Sequence, residues 1–566
     1  MKRAFLIALF ACTAFALYAF PPTQAQKPAT APPAVVTWHN DNARTGQNLQ
    51  ETILNTTNVN ASTFGKVFSY PVDGNIYAQP LYVPNVTING TAHNVVYVVT
   101  ENDSIYAFDA DSATLNPNPL WHVSLISPPN VIPYPCLDYH AACTIYPIIG
   151  ITGTPVINVA TNTMFFVART KEIVEGNSNP FYYERLHALD IRTGTEMPNS
   201  PATICGDYYH TGMGCTMSSG LFNPIQDGQR PGLLLESTPG FPQGVLWIAF
   251  AGKGMVLAYA PVSLVRIGDW TATPHPKNTT GGGGIWGSGG GVTGGPSGTV
   301  YVSVGDGTFD VNVGGNNYGD SVVKLGLVSN GGKGYKIQVL DYFTPPDEAC
   351  RQTTDADLGS GGAMLLPPQP GAVPNLLMIG GKGNVPDCDA VNPFYLINAD
   401  NMGGLGGGVQ SVGAAWGYWS NPAYFSPGTV NNLYFGGVTS DTVGDYFREY
   451  RISNGLISPT ASISRTTQVY LAGPTPSISA NGTRQGIVWV SERPNIIDDE
   501  KGAVPAVLHA YPATNLHTEL YNSNMNAARD QAGPAVKFGV PTVVNGKVYI
   551  GTQTELDVYG LCPCPQ

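Results

Sequence analysis

The chain has 566 residues and a formal net charge of -12 at pH 7. An acidic surface of this kind argues against nucleic acid or anionic lipid as a partner. With 67 glycines, 47 prolines and only 12% charged residues, the composition favours many turns and short strands over surface helices, and 10% aromatic residues allow a large core.

The chain begins with the pattern of an export signal. Two basic residues precede an apolar run from Ala4 to Phe20, and small residues lead up to Ala25, where a signal peptidase could cut. We therefore expect residues 1–25 to be a signal peptide and the protein to be secreted, periplasmic or at the cell surface. The alternative is a lipoprotein signal using Cys12, although the apolar run continues past that cysteine. No other stretch approaches the length of a membrane span.

The next segments are predicted from their composition. Residues 26–37 are rich in proline and alanine, and we expect a flexible lead-in to one domain over residues 38–566. That domain opens on the polar stretch WHNDNARTG, in which His39, Asp41 and Arg44 are candidate ligand-binding residues. Arg44 could hold a carboxylate as a bidentate fork. The alternative is structural, with Asp41 and Arg44 pinning this segment to the last repeat.

One unit then recurs along the chain. An apolar strand with an aromatic residue, a short turn and a second strand that often ends in aspartate form each copy. The first copy pairs Val95–Val99 with Ser104–Asp109, and its Tyr97 and Phe108 are expected to pack between repeats. The later copies pair Met164–Ala168 with Arg185–Asp190, Leu246–Phe250 with Met255–Tyr259, Val300–Val304 with Ser321–Leu325, Leu376–Gly380 with Phe394–Asn398, Leu433–Gly437 with Tyr446–Tyr450, Val488–Ser491 with Val507–Tyr511, and Val548–Gly551 with Leu556–Tyr559.

A third strand of small residues usually precedes each pair, as at Ala78–Tyr82, Gly287–Gly291 and Gly359–Ala363. Small residues belong where strands converge on a narrow axis, because a Cβ there would collide with its neighbours. Such repeats indicate an all-β fold, a single eight-bladed β-propeller with four-stranded antiparallel blades. Seven blades plus an insertion is the alternative. The last repeat ends early, so the strand Phe64–Tyr70 is expected to complete it and close the ring.

The cysteines indicate disulfides. Of the nine, Cys12 leaves with the signal, and the remaining eight fall into local pairs. An even count in an exported chain favours disulfides that staple loops, whereas no histidine lies near these pairs at the spacing of zinc sites. The candidate pairs are Cys136 with Cys143, Cys205 with Cys215, and Cys350 with Cys388. Cys562 and Cys564 are so close in sequence that they pair elsewhere or stay free.

Three further stretches offer candidate sites. The loop after Ser303 carries hard oxygen ligands for calcium, and the alternative is a turn-rich loop that uses the same side chains as caps. Its candidate ligands are Asp306, Asp310, Asn312 and Asp320. Asp73 and Gln79 flank the start of the first inner strand as candidate ligand-binding residues, with a role in a turn as the alternative. Trp286 stands between two glycine runs and either caps a channel pocket or plugs it.

Several of these stretches resemble the PQQ-like (quinoprotein-type) β-propeller repeat family, most closely its exported bacterial members without settled activity. The likeness covers nearly everything after residue 37. It is carried by TWHNDNARTG, VYV…SIYAFDA, GIWGSGGGV…YVSVGDGTFD…GDSVVKL, and DYFTPPDEACRQTTDADLGSGGAMLLP followed by GGKG and FYLINADNMGG. The family includes cofactor-dependent alcohol and sugar dehydrogenases as well as non-catalytic scaffolds, so the resemblance implies the fold without choosing the function.

The hallmarks of the dehydrogenases decide the functional expectation. The resemblance implies adjacent cysteines over the quinone and often a haem-binding CxxCH, and this chain has neither. We therefore expect a monomeric, non-catalytic binding or scaffold module for a protein, glycan or small-molecule ligand, with no assigned cofactor. The alternative is a divergent dehydrogenase that oxidises an alcohol or sugar with PQQ and calcium. A third is a propeller lyase or glycosidase. A carboxylate pair, an arginine and a flat aromatic wall at the channel mouth would favour a cofactor enzyme.

Overall fold

Strands dominate the computed structural model, and the residues from Pro32 onward form one compact unit. The structure describes residues 32–112, 118–138, 143, 145–208, 215–275, 282–382, 394–413, 419–428, 430–437, 445–469, 473–494 and 504–562. The predicted signal peptide lies outside these residues. Within them, no helix has the length and apolar character that a membrane crossing requires.

Eight antiparallel sheets of at least four strands follow one another in the described part of the chain. Sheet 1 contains Leu81–Ile88, Thr91–Val99, Ser104–Asp109 and Trp121–Ser124. Sheet 2 contains Val156–Asn158, Thr163–Glu172, Phe181–Asp190 and Ala202–Tyr208, with Val131–Pro135 and Ile148–Ile149 added. Sheet 3 contains Leu234–Thr238, Phe241–Ala249, Met255–Tyr259 and Arg266–Thr271. Sheet 4 contains Thr293–Gly294, Val300–Ser303, Val322–Ser329 and Tyr335–Thr344, with Gly404–Leu405 added.

The second half of the chain repeats the arrangement. Sheet 5 contains Met364–Leu365, Leu376–Gly380, Phe394–Asn398 and Gln410–Val412. Sheet 6 contains Ala423–Phe425, Asn431–Phe435, Asp445–Ser453, Leu456–Ile457 and Ser462–Val469. Sheet 7 contains Ser477–Asn481, Arg484–Glu492, Val507–Pro512 and Tyr521–Asn522, with Gln47–Asn48 added. Sheet 8 contains Thr542–Val544, Lys547–Gly551, Glu555–Leu561 and the early strand Phe64–Pro71.

Helical structure is confined to short connections. The described α-helices are Glu348–Thr354 and Ala527–Asp530, and the single 3₁₀ turns are Cys136–Asp138, Gly287–Gly289, Pro296–Gly298, Val311–Val313, Leu358–Ser360 and Ser523–Asn526. A small hairpin joins Cys215–Met217 to Gly220–Phe222. The prediction of an all-β fold with four-stranded antiparallel sheets, like those of a propeller, is therefore confirmed.

The glycine-rich stretches depart from the prediction for the first strands of sheets 4 and 5. Gly287 and Gly289 have φ values of 59° and 83°, which are incompatible with an extended strand. These stretches instead form turns, and the first strands begin later, at Thr293 and Met364.

The hydrophobic core lies between neighbouring sheets. The repeat predicted this packing for Tyr97 and Phe108 of sheet 1. On one side, the Tyr97 hydroxyl donates to the Ile191 carbonyl at the end of the third strand of sheet 2, over 3.0 Å. On the other side, the Phe108 ring stacks on Tyr70 of sheet 8 with centroids 4.3 Å apart. These two aromatic residues therefore bind sheet 1 to both of its neighbours.

The early strand Phe64–Pro71 pairs antiparallel with Glu555–Leu561, near the other end of the chain. An ion pair supports this junction, because Lys66 Nζ lies 2.5 Å from Asp557 Oδ1 and 3.1 Å from Glu555 Oε1. The Asp557 side chain is fully buried. A buried carboxylate needs such a partner, since an unpaired charge in the interior is strongly destabilising.

The disulfide prediction is confirmed for two pairs, Cys136–Cys143 and Cys205–Cys215. Cys350 and Cys562 are also disulfide-bonded. The predicted pairing of Cys350 with Cys388 cannot be described further, because Cys388 lies outside the described residues, as does Cys564.

A buried histidine in sheet 7 links folding to pH. His509 Nε2 lies 2.6 Å from Glu492 Oε2, and its Nδ1 lies 2.5 Å from Glu519 Oε1. Burial alone would lower the pKa of His509, but the hydrogen bonds and charges of the two glutamates outweigh it and raise the pKa to about 9. The imidazolium is thus the form that the folded protein stabilises.

Replacing Lys66 with methionine should lower the free energy of unfolding by about 3 kcal/mol, because Asp557 would remain buried without its cation. Chemical denaturation would measure the loss, and the double variant Lys66→Met/Asp557→Asn should recover part of it. Lys547→Met is the matched control, since its partner Asp111 is 49% exposed and a much smaller change is expected. Equal losses in the two lysine variants would contradict this account.

The stabilisation that His509 provides should depend on pH. Its folded pKa lies above the unfolded value of about 6.5, so the contribution is complete below about pH 6.5 and is lost as the pH rises through about 9. The difference in unfolding free energy between the unmodified protein and His509→Gln, measured by denaturation from pH 6 to pH 10, should therefore shrink with increasing pH. A difference independent of pH would contradict the charged triad.

Candidate functional site

The N-terminal strap, Val35–Gln50, contacts the first strand of all eight sheets at the same position, the second residue of the strand. In six sheets a backbone N–H donates to a strap carbonyl over 2.7–3.0 Å. The donors are Tyr82, Ile157, Gly294, Leu365, Tyr424 and Ile478, and their acceptors are Val35, Val36, Asn42, Ala43, Thr45 and Gly46 respectively. In sheets 3 and 8, Asn42 and Asn48 use their side-chain Nδ2 to donate to the carbonyls of Leu235 and Val543, over 3.0 and 2.9 Å.

This arrangement explains why the opening stretch is so polar. The first strand of each sheet is an edge strand, and its backbone groups need partners once they are buried. The strap supplies them in turn, from sheet 1 at Val35 to sheet 8 at Asn48. Its contacts begin three residues before Trp38, within the predicted lead-in.

Arg44 is fully buried at the centre of the strap. Its Nε and Nη2 donate to the Val292 carbonyl over 3.0 and 2.7 Å, and Nη2 also reaches the Leu233 carbonyl. Its Nη1 donates to Thr37 Oγ1 and to the Trp38 carbonyl, over 2.7 and 2.8 Å. Burial lowers the pKa of Arg44 to about 10. The guanidinium therefore ties the strap to sheets 3 and 4, and carboxylate binding by Arg44 stays a prediction.

His39 and Asp41 also have partners within the protein. The ring nitrogens of His39 lie 2.7 Å from the Arg44 carbonyl and 2.8 Å from the Pro476 carbonyl, and burial lowers its pKa. Asp41 accepts from the backbone N–H and the hydroxyl of Thr45. Both residues shape the strap, and their role in ligand binding stays a prediction.

Gln79 and Asp73 take up structural positions near sheet 1. Gln79 Oε1 accepts from the backbone N–H of His39 over 2.6 Å, which ties the strap to the start of this sheet. Asp73 accepts from Thr100, Asn102 and Ser104, and so organises the turn between the second and third strands. Ligand binding by these residues is likewise untested.

A cluster of charged side chains forms where the loops of sheets 4 and 5 meet. Asp306 follows the second strand of sheet 4, Asp355 and Asp357 precede the first strand of sheet 5, and Lys382 follows that sheet's second strand. One oxygen from each of the three aspartates lies within 4.8 Å of the others. We refer to Asp306, Asp355 and Asp357 as the acid cluster.

Lys382 and a backbone amide hold the acid cluster together. Lys382 Nζ lies 2.9 Å from Asp355 Oδ1 and 2.6 Å from Asp357 Oδ2. The backbone N–H of Asp306 donates to Asp357 Oδ1 over 2.7 Å. Asp357 is buried, Asp306 is half-buried and Asp355 is exposed, so the cluster runs from the interior to the surface.

The buried Arg351 fixes the loops that carry the cluster. Its Nη1 donates to the carbonyls of Ala356 and Lys382, over 3.2 and 2.8 Å, and its Nη2 donates to the Tyr395 hydroxyl over 3.0 Å. Ala356 lies between Asp355 and Asp357 in the chain. One side chain thus sets the separation between the aspartate loop and the backbone of Lys382.

Opposite pKa shifts follow from this geometry. Burial, the hydrogen bond to Asp357 and the charge of Asp357 raise the pKa of Asp306 to about 8. Although Asp357 is also buried, Lys382 and the hydrogen bonds from Asp306 lower its pKa to about 2. In the protein alone, one carboxyl of the pair is therefore ionised at neutral pH while the other retains its proton.

A flat aromatic residue lies beside the acid cluster. A Cβ placed on Gly305 would lie 2.5 Å from Asp357 Oδ1 and 3.1 Å from Trp286 Cδ1, so this glycine separates the two groups. Trp286 is half-buried, and the Arg230 guanidinium carbon lies 5.1 Å from its ring centroid. The structure thus places a carboxylate pair, a lysine, a tryptophan and an arginine in adjacent positions.

The predicted calcium loop is only partly brought together. Asp306 belongs to the acid cluster, and Asp320 lies behind it, with Oδ1 accepting from the Leu358 N–H over 2.9 Å. Asp310 instead accepts from Asn317, and Asn312 is exposed in the turn Val311–Val313. The sequence analysis missed Asp355, Asp357, Lys382 and Arg351. The signal for them was two aspartates and a lysine inside the stretches that carry the family resemblance.

Comparison with known proteins gives matches among solved structures alone. No protein-family model and no curated protein matches the chain. The quinohemoprotein alcohol dehydrogenase of Comamonas testosteroni matches with a TM-score of 0.55 and 14% identity, over 94% of this chain and 82% of that one. Quinohemoprotein alcohol dehydrogenase ADHIIG of Pseudomonas putida HK5 matches with a TM-score of 0.55 and 13% identity, over 94% and 81%. A europium-containing methanol dehydrogenase matches with a TM-score of 0.53 and 11% identity, over 93% and 98%.

These matches confirm the predicted resemblance to the quinoprotein propellers at the level of the fold. They also correct the main functional prediction, because these three structures, which match over nearly the whole chain, are dehydrogenases. The expectation of a non-catalytic binding or scaffold module is not supported. It depended on two missing cysteine motifs, whereas charged groups from three separate loops meet in space without any local motif.

Replacing Arg44 with methionine should destabilise the fold strongly, by about 3 kcal/mol or more. The carbonyls of Val292, Leu233 and Trp38 would lose their donor while remaining buried. Denaturant titration would measure the loss of unfolding free energy. Arg192→Met is the control, since that arginine is 48% exposed and pairs with Asp190 at the surface. A loss in Arg44→Met no larger than in the control would contradict the structural role of the strap.

Proposed function

We propose that this protein is an oxidoreductase of the quinoprotein type, which oxidises an alcohol or a sugar at the acid cluster. The observation that carries the proposal is the convergence of Asp306, Asp355 and Asp357 with Lys382 beside Trp286. This combination meets the criterion for a cofactor enzyme, namely a carboxylate pair, an arginine and a flat aromatic wall. The fold, shared with alcohol and methanol dehydrogenases, supports the same conclusion.

The acid cluster fits a hard divalent cation such as calcium. Carboxylate oxygens are the donors that calcium prefers, and three are available within 4.8 Å of one another. Behind them, Asp320 is buried, and its Oδ2 has no hydrogen-bond partner among the described residues. Asp306 and Asp357 are the residues that we expect to hold the cation, since both are less exposed than Asp355.

Trp286, Arg230 and Lys382 fit a planar, acidic cofactor such as PQQ. The tryptophan offers an aromatic surface, and the two cations suit an anionic ring system. When bound, PQQ together with calcium would supply the electron acceptor for substrate oxidation.

The residues of this chain would position and deprotonate the substrate. Asp355 is the candidate general base, because its side chain is 77% exposed and can meet a substrate hydroxyl. In the protein alone, Lys382 lies 2.9 Å from its Oδ1, and the carboxylate of Asp355 could take the hydroxyl proton. Arg351 would keep the loop of Asp355 at a fixed distance from the backbone of Lys382, through its hydrogen bonds to the carbonyls of Ala356 and Lys382.

We also infer the finer points of architecture and location. Sheets 1–8 are interpreted as eight blades of one ring, closed by the pairing of Phe64–Pro71 with Glu555–Leu561. A signal peptide over residues 1–25 would deliver the chain to the periplasm or beyond, where the two disulfides would persist. The domain would then extend over residues 38–566, and its partner would be a small-molecule substrate.

The roles of the aspartates can be separated by substitution. Protein reconstituted with PQQ and calcium should reduce an artificial electron acceptor with an alcohol or sugar as donor. Asp355→Asn should lower kcat about 100-fold or more because the base is removed, and it should weaken calcium binding less than Asp357→Asn does, because Asp355 is the more exposed of the two. Asp357→Asn should weaken calcium binding itself. Dye-reduction kinetics and calorimetry with calcium would measure the two effects.

Asp400→Asn is the matched control, since Asp400 is exposed in sheet 5 and contacts Asn375. Its kinetics and calcium affinity should equal those of the unmodified protein. Absence of dye reduction across a panel of alcohols and sugars, with PQQ and calcium both supplied, would overturn the proposed function.

A further inference from the structure

Lys382 places an ammonium group between the carboxylates of the acid cluster. Its Nζ lies 2.9 Å from Asp355 Oδ1 and 2.6 Å from Asp357 Oδ2, and its side chain is 19% exposed. Calcium binds carboxylate oxygens at 2.3–2.6 Å. Asp357 is one of the two residues expected to hold the cation, so the ammonium beside its Oδ2 and a bound metal ion would compete for nearly the same space.

The carboxyl groups of the site outnumber the single ammonium that Lys382 supplies. Among the described residues, Lys382 is the cation that contacts the acid cluster, because the donors of Arg351 are directed to Asp347, Tyr395 and two carbonyls. Three aspartates lie in the cluster, and Asp320 adds a fourth carboxyl with an unpartnered, buried Oδ2. A second positive charge at this place would be stabilised by Coulomb attraction.

The backbone of Lys382 is fixed while its side chain can leave. Its N–H donates to the Asp357 carbonyl and to Ser360 Oγ, both over 3.0 Å, and its carbonyl accepts from Arg351. The ammonium stands at the end of a flexible four-carbon stem, which can move to solvent without disturbing these bonds.

We infer that Lys382 is an internal counter-ion that occupies the acid cluster until a hard cation of charge two or more displaces it. This inference rests on the proposed function in that it concerns the same cation site. A monovalent ion gains nothing by the exchange, because it replaces one positive charge with another. A divalent ion brings one more positive charge than the ammonium it replaces to a place where four carboxyl groups meet. The exchange therefore selects calcium-like ions over sodium and potassium.

Replacing Lys382 with methionine should raise the affinity for calcium at least tenfold, because no ammonium then has to be displaced. Isothermal titration calorimetry with calcium alone, in the absence of PQQ and substrate, would measure the change. Lys171→Met is the matched control. Lys171 Nζ also lies 2.6 Å from an aspartate oxygen, in Asp138, and its side chain is 23% exposed, but it faces one carboxylate. The calcium affinity of Lys171→Met should equal that of the unmodified protein, and excess sodium should not compete with calcium in either of these two proteins, which both retain Lys382.

A second measurement covers a Lys382→Met variant that folds poorly without metal. Calcium should then raise its thermal midpoint more than that of the unmodified protein. Equal or weaker affinity together with an equal midpoint shift would overturn the inference, and so would the absence of calcium binding in both proteins. Calcium binding with the expected gain but without dye reduction would instead overturn the proposed dehydrogenase and leave the counter-ion exchange intact.

Discussion

The fold depends on hydrogen bonds between the N-terminal strap and the first strand of each of the eight sheets. Each sheet ends, on its first strand, in backbone groups that no neighbouring strand can reach. Burying such groups without partners would cost about 1–3 kcal/mol each. The strap meets the second residue of every first strand, from Tyr82 to Val543, so one segment satisfies all eight edges. The first strands of the eight sheets lie between Leu81 and Val544 in the sequence, and a single stretch of sixteen residues links them all.

The candidate site uses the rigidity that this arrangement provides. Asp306, Asp357 and Lys382 belong to three different loops. The loops of Asp306 and Lys382 follow strands that pack against neighbouring sheets, and the loop of Asp357 leads from the helix Glu348–Thr354 into the first strand of sheet 5. The packed sheets therefore limit how far these loops can move relative to one another. Arg351 restricts the movement further through its hydrogen bonds to the carbonyls of Ala356 and Lys382. A carboxylate pair with opposite pKa shifts requires such fixed distances, because a shared proton and a shared cation both depend on separations of a few ångströms.

The sequence predicted the architecture much better than the site. Apolar strands such as Val95–Val99 pair with the next strand along the chain. The central strand pairs of all eight sheets could therefore be predicted from the local sequence. The first strand of sheet 4 begins later than predicted because Gly287 and Gly289 adopt left-handed conformations, and that of sheet 5 because Leu358–Ser360 forms a 3₁₀ turn. Composition does not reveal either turn. The strap and the acid cluster were beyond prediction for a different reason. His39 and Pro476, or Asp306 and Asp357, are brought together by the packing of the sheets and not by any spacing along the chain.

Burial of acids does not by itself identify a functional site in this protein. Asp103 and Glu184 are fully buried near sheets 1 and 2, and burial raises the pKa of Glu184 to about 8, as it does for Asp306. What distinguishes the acid cluster is convergence, since it is the group among the described residues whose three carboxylates lie within 4.8 Å of one another. Glu184 instead faces Arg169 over 3.6 Å, one cation for one carboxylate. A buried acid with its own partner can be explained by folding alone. In the acid cluster, Lys382 contacts two of three converging carboxyl groups, and the cluster reaches the surface at Asp355. One lysine is too few cations for these carboxyl groups, and an incoming cation is the simplest physical reason for their convergence.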